Sequence, residues 1–118
     1  MDRRKYTAMK RYLAERQQSC LAHQETLQAD GRADEGVFER IRANVFGVAE
    51  AVLKAADAQK EPEQFFRMRM EQIPAAWEKS LEQAQFHGDA VKAHLEKIKL
   101  EAAEEIRTAF DRIWSDEA

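Results

Sequence analysis

Apolar side chains recur along this chain at steps of three and four residues, the spacing that lays a single stripe along an α-helix. From about Asp2 to Ala29 the stripe is Tyr6, Met9, Leu13, Cys20 and Leu27. Asp30-Gly31 ends it, because glycine accepts the left-handed conformation that closes a helix, and Asp34 is expected to cap the next start. The second segment, about Asp34 to Gln59, aligns Ile41, Val45, Val48 and Val52, with Phe38, Phe46 and Leu53 widening the apolar surface. It is expected to be the most buried helix. Ala43, Gly47, Ala51 and Ala55 recur every four residues in it, a row along which another helix backbone can approach closely.

The third segment opens at Pro62, which suits a first helical turn, with Glu61 as a weak cap. Its stripe is Phe66, Met70, Ile73, Trp77, Leu81 and Ala84. Pro74 crosses it, so the helix is expected to kink or restart near Gln72 to Ile73. His87-Gly88-Asp89 reads as stop, left-handed residue and new cap, opening a fourth helix from about Asp89 to Ser115. Val91, Leu95, Ile98, Ala102, Ile106, Ala109 and Ile113 form its main stripe; Leu100, Ala103, Phe110 and Trp114 add a second. The pattern predicts one all-α domain over residues 1–118, a bent three- to four-helix bundle with long antiparallel helices, the third kinked near Pro74. The segments share no register of tryptophan, glycine and proline that would mark a 34-residue repeat, so no internal repeat is expected and a solenoid is disfavoured.

A second apolar stripe exceeds what one helix edge needs inside a small bundle. Leu100, Ala103, Phe110, Ile113 and Trp114 are therefore candidate contacts of a homo-oligomer, in the first instance a dimer; the competing reading is that the N-terminal helix covers them. Phe65 and Met68 fall off the third stripe, beside Arg67 and Arg69, and would suit a peptide or protein partner.

Composition sharpens this. Of 118 residues, about half are Ala, Glu, Lys, Leu or Arg, while Gly and Pro together supply few, four and two. Such a composition belongs to long helices and leaves little room for sheet. The net charge of −3 gives no global attraction to nucleic acid or anionic lipid, yet its distribution is uneven. Arg3, Arg4, Lys5, Lys10, Arg11 and Arg16 outweigh Asp2 and Glu15 at one end. Glu101, Glu104, Glu105, Asp111, Asp116 and Glu117 outweigh Arg107 and Arg112 at the other. Terminal helices of opposite sign suit a side-by-side arrangement or pairing between subunits. Charges interrupt every segment, so none is expected to span a bilayer. One cysteine, and a start without the apolar core of a signal peptide, place the chain by expectation in the cytoplasm.

The candidate chemistry is thin. Cys20, His23, His87 and His94 are the residue types of a zinc site but lack its paired short spacings. No glutamate stands three residues before any histidine, as a di-iron bundle requires. Ser19, Ser80 and Ser115 lie within helical stretches, and Gly31, Gly36, Gly47 and Gly88 are too scattered for a phosphate or dinucleotide loop. No catalytic residue, metal or cofactor is therefore expected. Arg3, Arg4, Lys5, Lys10 and Arg11, interleaved with Tyr6 and Tyr12, are the best nucleic-acid candidate. Trp77, Phe86, His87, His94 and Trp114 are the residues an aromatic ligand pocket would use.

Gly31-Arg32-Ala33-Asp34 with Phe38 to Phe46, then Glu71 to Trp77, then Lys97-Ile98-Lys99-Leu100-Glu101, resemble small all-helical bacterial proteins of unknown function. The resemblance implies a helical bundle and brings no active residues with it. The leading expectation is a non-enzymatic interaction or scaffold module that self-associates through Phe110, Ile113 and Trp114; the alternatives are nucleic-acid binding and small-ligand binding.

Overall fold

Four helices form in the computed structural model, which describes residues 1–115: α1 (Arg3–Ala29), α2 (Ala33–Ala56), α3 (Pro62–Phe86) and α4 (Ala90–Ser115). A 27-residue helix rising 1.5 Å per residue is about 40 Å long, which accounts for the 43 Å long axis. α1 packs chiefly on α2, and α3 on α4. The two hairpins meet across α2 and α4, whereas the backbones of α1 and α3 do not approach one another.

Local chemistry sets the boundaries. Asp2 caps α1, its carboxylate accepting from the Arg4 and Lys5 amides; those amides are the chief reason its carboxyl titrates below the ordinary value. Gly31 and Gly88 take φ of +75° and +69°. Each closes its helix with the same bonds: the Gly31 amide to Gln28 and the Arg32 amide to Leu27, then the Gly88 amide to Gln85 and the Asp89 amide to Ala84. Asp89 caps α4 through the Lys92 amide. Asp34 does not cap α2. The chain re-enters helix immediately after the glycine turn, so Asp34 and Glu35 lie within the first turn, where their charges complement the helix dipole.

α3 runs unbroken through Pro74 instead of restarting there. The proline cannot donate to the Met70 carbonyl four residues earlier, and Arg107 of α4 supplies the missing donor at 3.0 Å. α2 does bury more residues than any other helix, but its stripe is turned from the expected line: Val48 is 38% exposed, while Ala49, Ala56 and Glu39 are buried. The small-residue row also fails in part, since Ala51 and Ala55 are exposed. Close backbone approach to α1 occurs at Gly36, where an added Cβ would lie 3.4 Å from the Gln24 carbonyl oxygen; at Gly47 of the row an added Cβ would meet the Gln17 side-chain nitrogen at 2.8 Å.

The structure also corrects the expectation that nothing repeats. Buried positions in the first hairpin recur 57 residues later in the second: Met9 with Phe66, Leu13 with Met70, Leu27 with Ala84, Gly36 with Ala93, Glu39 with Glu96, Leu53 with Phe110. Gly31-x-Ala33 and Glu39-Arg40-Ile41-Arg42 return as Gly88-x-Ala90 and Glu96-Lys97-Ile98-Lys99. The order of the helices follows the same relation, with α2 against α4 at the centre and α1 and α3 outermost, although α1 packs much more extensively on α2 than α3 does on α4. Volumes trade across it: Phe46 answers Ala103, and Ala49 answers Ile106, all fully buried.

Candidate functional site at the open end of the bundle

Antiparallel pairing puts both glycine turns at one end of the bundle and the α2–α3 connection at the other. The largest fully buried side chains, Phe46, Phe66, Phe110, Met9, Leu13 and Leu53 among them, occupy the connector end and the middle. Phe110 is stacked between Phe66, at 4.3 Å, and Trp114, at 4.1 Å. Toward the glycine turns the interior thins to Cys20, Leu27, Ala84, Ala93 and Ile98, with the carboxylates Glu39 and Glu96.

α1 and α4 run side by side, as their opposite charges suggested. Lys5 donates to the Trp114 carbonyl at 3.0 Å, and Arg16 holds Glu105 with two bonds of 2.8 and 3.2 Å while Tyr12 donates to the same carboxylate. Burial pushes the Glu105 carboxyl up, but the Arg16 and Tyr12 bonds outweigh it and leave Glu105 below its ordinary value. Burial, then the bond to Glu105, push the Tyr12 phenol well up. Asp116 and Glu117, counted above in the acidic end, lie outside the described residues.

Beyond Glu105 this groove opens into a cleft of about 290 Å³ lined by His23 and Leu27 of α1, Phe38, Glu39 and Arg42 of α2, and His94 of α4. Glu39 is nearly buried and carries two partners, Arg42 on one oxygen and the His23 Nδ1 at 3.5 Å from the other. His94 stands edge-on against Phe38 with ring centres 4.6 Å apart. Beside them Cys20 is buried, and burial above all pushes its thiol up, which disfavours the thiolate. The second hairpin's Glu96 is bonded to Lys99 at 3.1 Å, but its other oxygen is buried without a partner. At the position 57 residues after His23 the second hairpin has Ser80.

The sequence-derived candidates fare unevenly. His23 and His94 share the cleft, but His87 lies on the exposed α3–α4 turn against Phe86, and no group of three or more metal-binding side chains assembles among the described residues. Trp77 faces Lys99, on a different side of α4 from His94, and Trp114 belongs to the opposite end, so the aromatic pocket is not formed. Of the proposed oligomer contacts, Ala103 and Phe110 are 0% and 1% exposed and so do not lie on the exterior of α4; Leu100, Ile113 and Trp114 are half-buried. The N-terminal helix reaches Trp114 through Lys5, while Phe110 is covered by Phe66 of α3. Among the basic residues, Arg3 pairs with Asp57 and lies over Tyr6, and Lys5 is spent on Trp114. Arg4, Lys10 and Arg11 remain exposed, with no acidic partner among the described residues.

What sequence reading missed is the surface of the second turn. Phe86 and Val91 are 85% and 71% exposed, where the first hairpin has Ala29 and Asp34 at the equivalent positions. No described helix is long and apolar enough to cross a membrane. Comparison with known proteins gives no match to a family model, a curated protein or a solved structure.

Proposed function

We propose that this chain is a non-enzymatic protein-interaction module that engages its partner through the α3–α4 turn at the open end. The observation carrying this reading is the pair Phe86 and Val91. Two hairpins built on one plan differ here, and the second places large apolar side chains in water where the first has a methyl group and a carboxylate. Nothing in the fold requires them, since the first hairpin closes through the same glycine turn without them. A scaffold of packed helices presenting apolar anchors on a turn is a common basis of partner recognition.

The cleft beside it supports binding rather than catalysis. Its carboxylate is paired with Arg42 and has His23 beside its other oxygen, and its thiol is buried and pushed up by that burial. The test is capture of partners from the native cell by the intact chain and by Phe86→Ser/Val91→Ser, with Ala29→Ser/Asp34→Ser as the matched control in the other hairpin. The tip variant is expected to lose proteins that the wild type and the control both retain. Identical capture by all three rejects the reading.

A further inference from the structure

The three connections between helices are not alike. The α1–α2 and α3–α4 turns are locked by a left-handed glycine, whereas residues 57–61 contain no glycine and no residue of positive φ. Asp57 keeps a right-handed helical conformation and donates to the Leu53 carbonyl at 3.1 Å; Ala58 and Gln59 continue with bonds to Ala55 and Ala56. The chain leaves the α-helix after Ala56 through these i→i−3 turn bonds, and Glu61 is extended at φ −121°, ψ 78° because Pro62 follows. Ala58, Gln59 and Lys60 are good helix formers, so apart from the constraint that Pro62 places on Glu61 the connector has little intrinsic preference for the bend it makes. Carrying the helix through Pro62 would orphan one carbonyl, that of Ala58, a defect of the kind α3 already contains at Pro74. The two hairpins are moreover joined without any side-chain hydrogen bond or ion pair between α2 and α3 among the described residues.

We propose that residues 57–61 are a hinge through which two copies of this chain exchange hairpins. In the exchanged dimer α2 and α3 straighten into one helix, and α1–α2 of each copy packs on α3–α4 of the other. Every contact of the closed chain is then remade, including Arg16 to Glu105 and Lys5 to Trp114, so the two states differ mainly at the connector. The partner is a second copy of this chain, met through interior surfaces and not through the exterior of α4. This inference stands apart from recognition at the α3–α4 turn.

The test compares three full-length chains refolded at about 0.5 mM and sized by light scattering across a dilution series: wild type, Pro62→Ala, and a chain with a flexible Gly/Ser insertion after Gln59. Pro62→Ala favours the straight connector and is expected to tighten the dimer roughly tenfold or more. The insertion favours closure within one chain and is expected to weaken the dimer to a similar degree. Phe86→Ser leaves the dimer unchanged, which separates this inference from turn-mediated recognition. A dimer of equal affinity in the wild type, Pro62→Ala and insertion chains is a surface contact and overturns the proposal; so does the absence of any dimer in both wild type and Pro62→Ala.

Discussion

The first hairpin is polar at its turn and gives Glu39 a partner on each oxygen, whereas the second is apolar at its turn and leaves one oxygen of the equivalent Glu96 without a partner. Both are built on the same buried positions, so each serves as an internal control for the other. Where they agree, at Gly31 and Gly88 or Glu39 and Glu96, the residue answers to the fold. Where they disagree at the surface, as Phe86 does with Ala29, the fold makes no demand and another requirement explains the difference.

That comparison can be broken most severely at the connector end, where the halves share one core. Phe110→Ala removes the ring between Phe66 and Trp114 and is expected to cost about 3–5 kcal/mol in denaturant unfolding. Trp114→Ala, half-buried, is expected to cost less but still more than any single exposed charge. Next comes Arg107→Met, which strands the Met70 carbonyl opposite Pro74 and is expected to cost about 1–3 kcal/mol. In a Pro74→Ala background the helix supplies its own donor, so most of that cost disappears. A full cost in both backgrounds contradicts the assigned role of Arg107.

Smaller effects distinguish the interiors. Ser80→His restores in the second hairpin the partner that His23 gives Glu39, and is expected to add up to about 1 kcal/mol. The gain must vanish when Glu96→Gln is added. Glu105 has a lowered carboxyl in the folded chain, so its contribution is present above the ordinary value of 4.5 and is lost as pH falls through the folded value. Glu105→Gln is therefore expected to flatten the acid limb of a stability profile below about pH 4.5, by under about 1 kcal/mol because the Arg16 pair is partly exposed. Phe86→Ser, which removes nothing buried, is expected to leave unfolding within about 0.5 kcal/mol of wild type.

Much of the architecture was legible before any coordinates. Helix ends at Gly31 and Gly88 are local events, decided by residues within a few positions, and the stripe of α3 follows from its spacing alone. The duplication was harder to read, because burial at 57-residue intervals is preserved while volumes are exchanged between halves, as at Phe46 and Ala103. Comparing letters sees a large residue facing a small one; the packed core sees compensation. The second stripe of α4 misled for a related reason. α4 lies at the centre of the arrangement, touching all three other helices, and so needs more apolar surface than an edge helix does. The unexpected exposure of Phe86 and Val91 depends on where a stripe outruns its neighbours, which periodicity does not report.

The central claim is that two equivalent halves share a well-filled core at the connector end and thin out together toward their glycine turns. Native-state amide hydrogen exchange along the whole chain tests it most directly. Amides at Leu13, Leu53, Met70, Ile106 and Phe110 are expected to exchange only through global unfolding, with one common free energy in both hairpins. Those flanking Leu27 and Ala84, and Gly36 and Ala93, are expected to open earlier and in matched pairs. Uniform protection from end to end, or loss of α3–α4 as a unit while α1–α2 stays protected, would contradict the account.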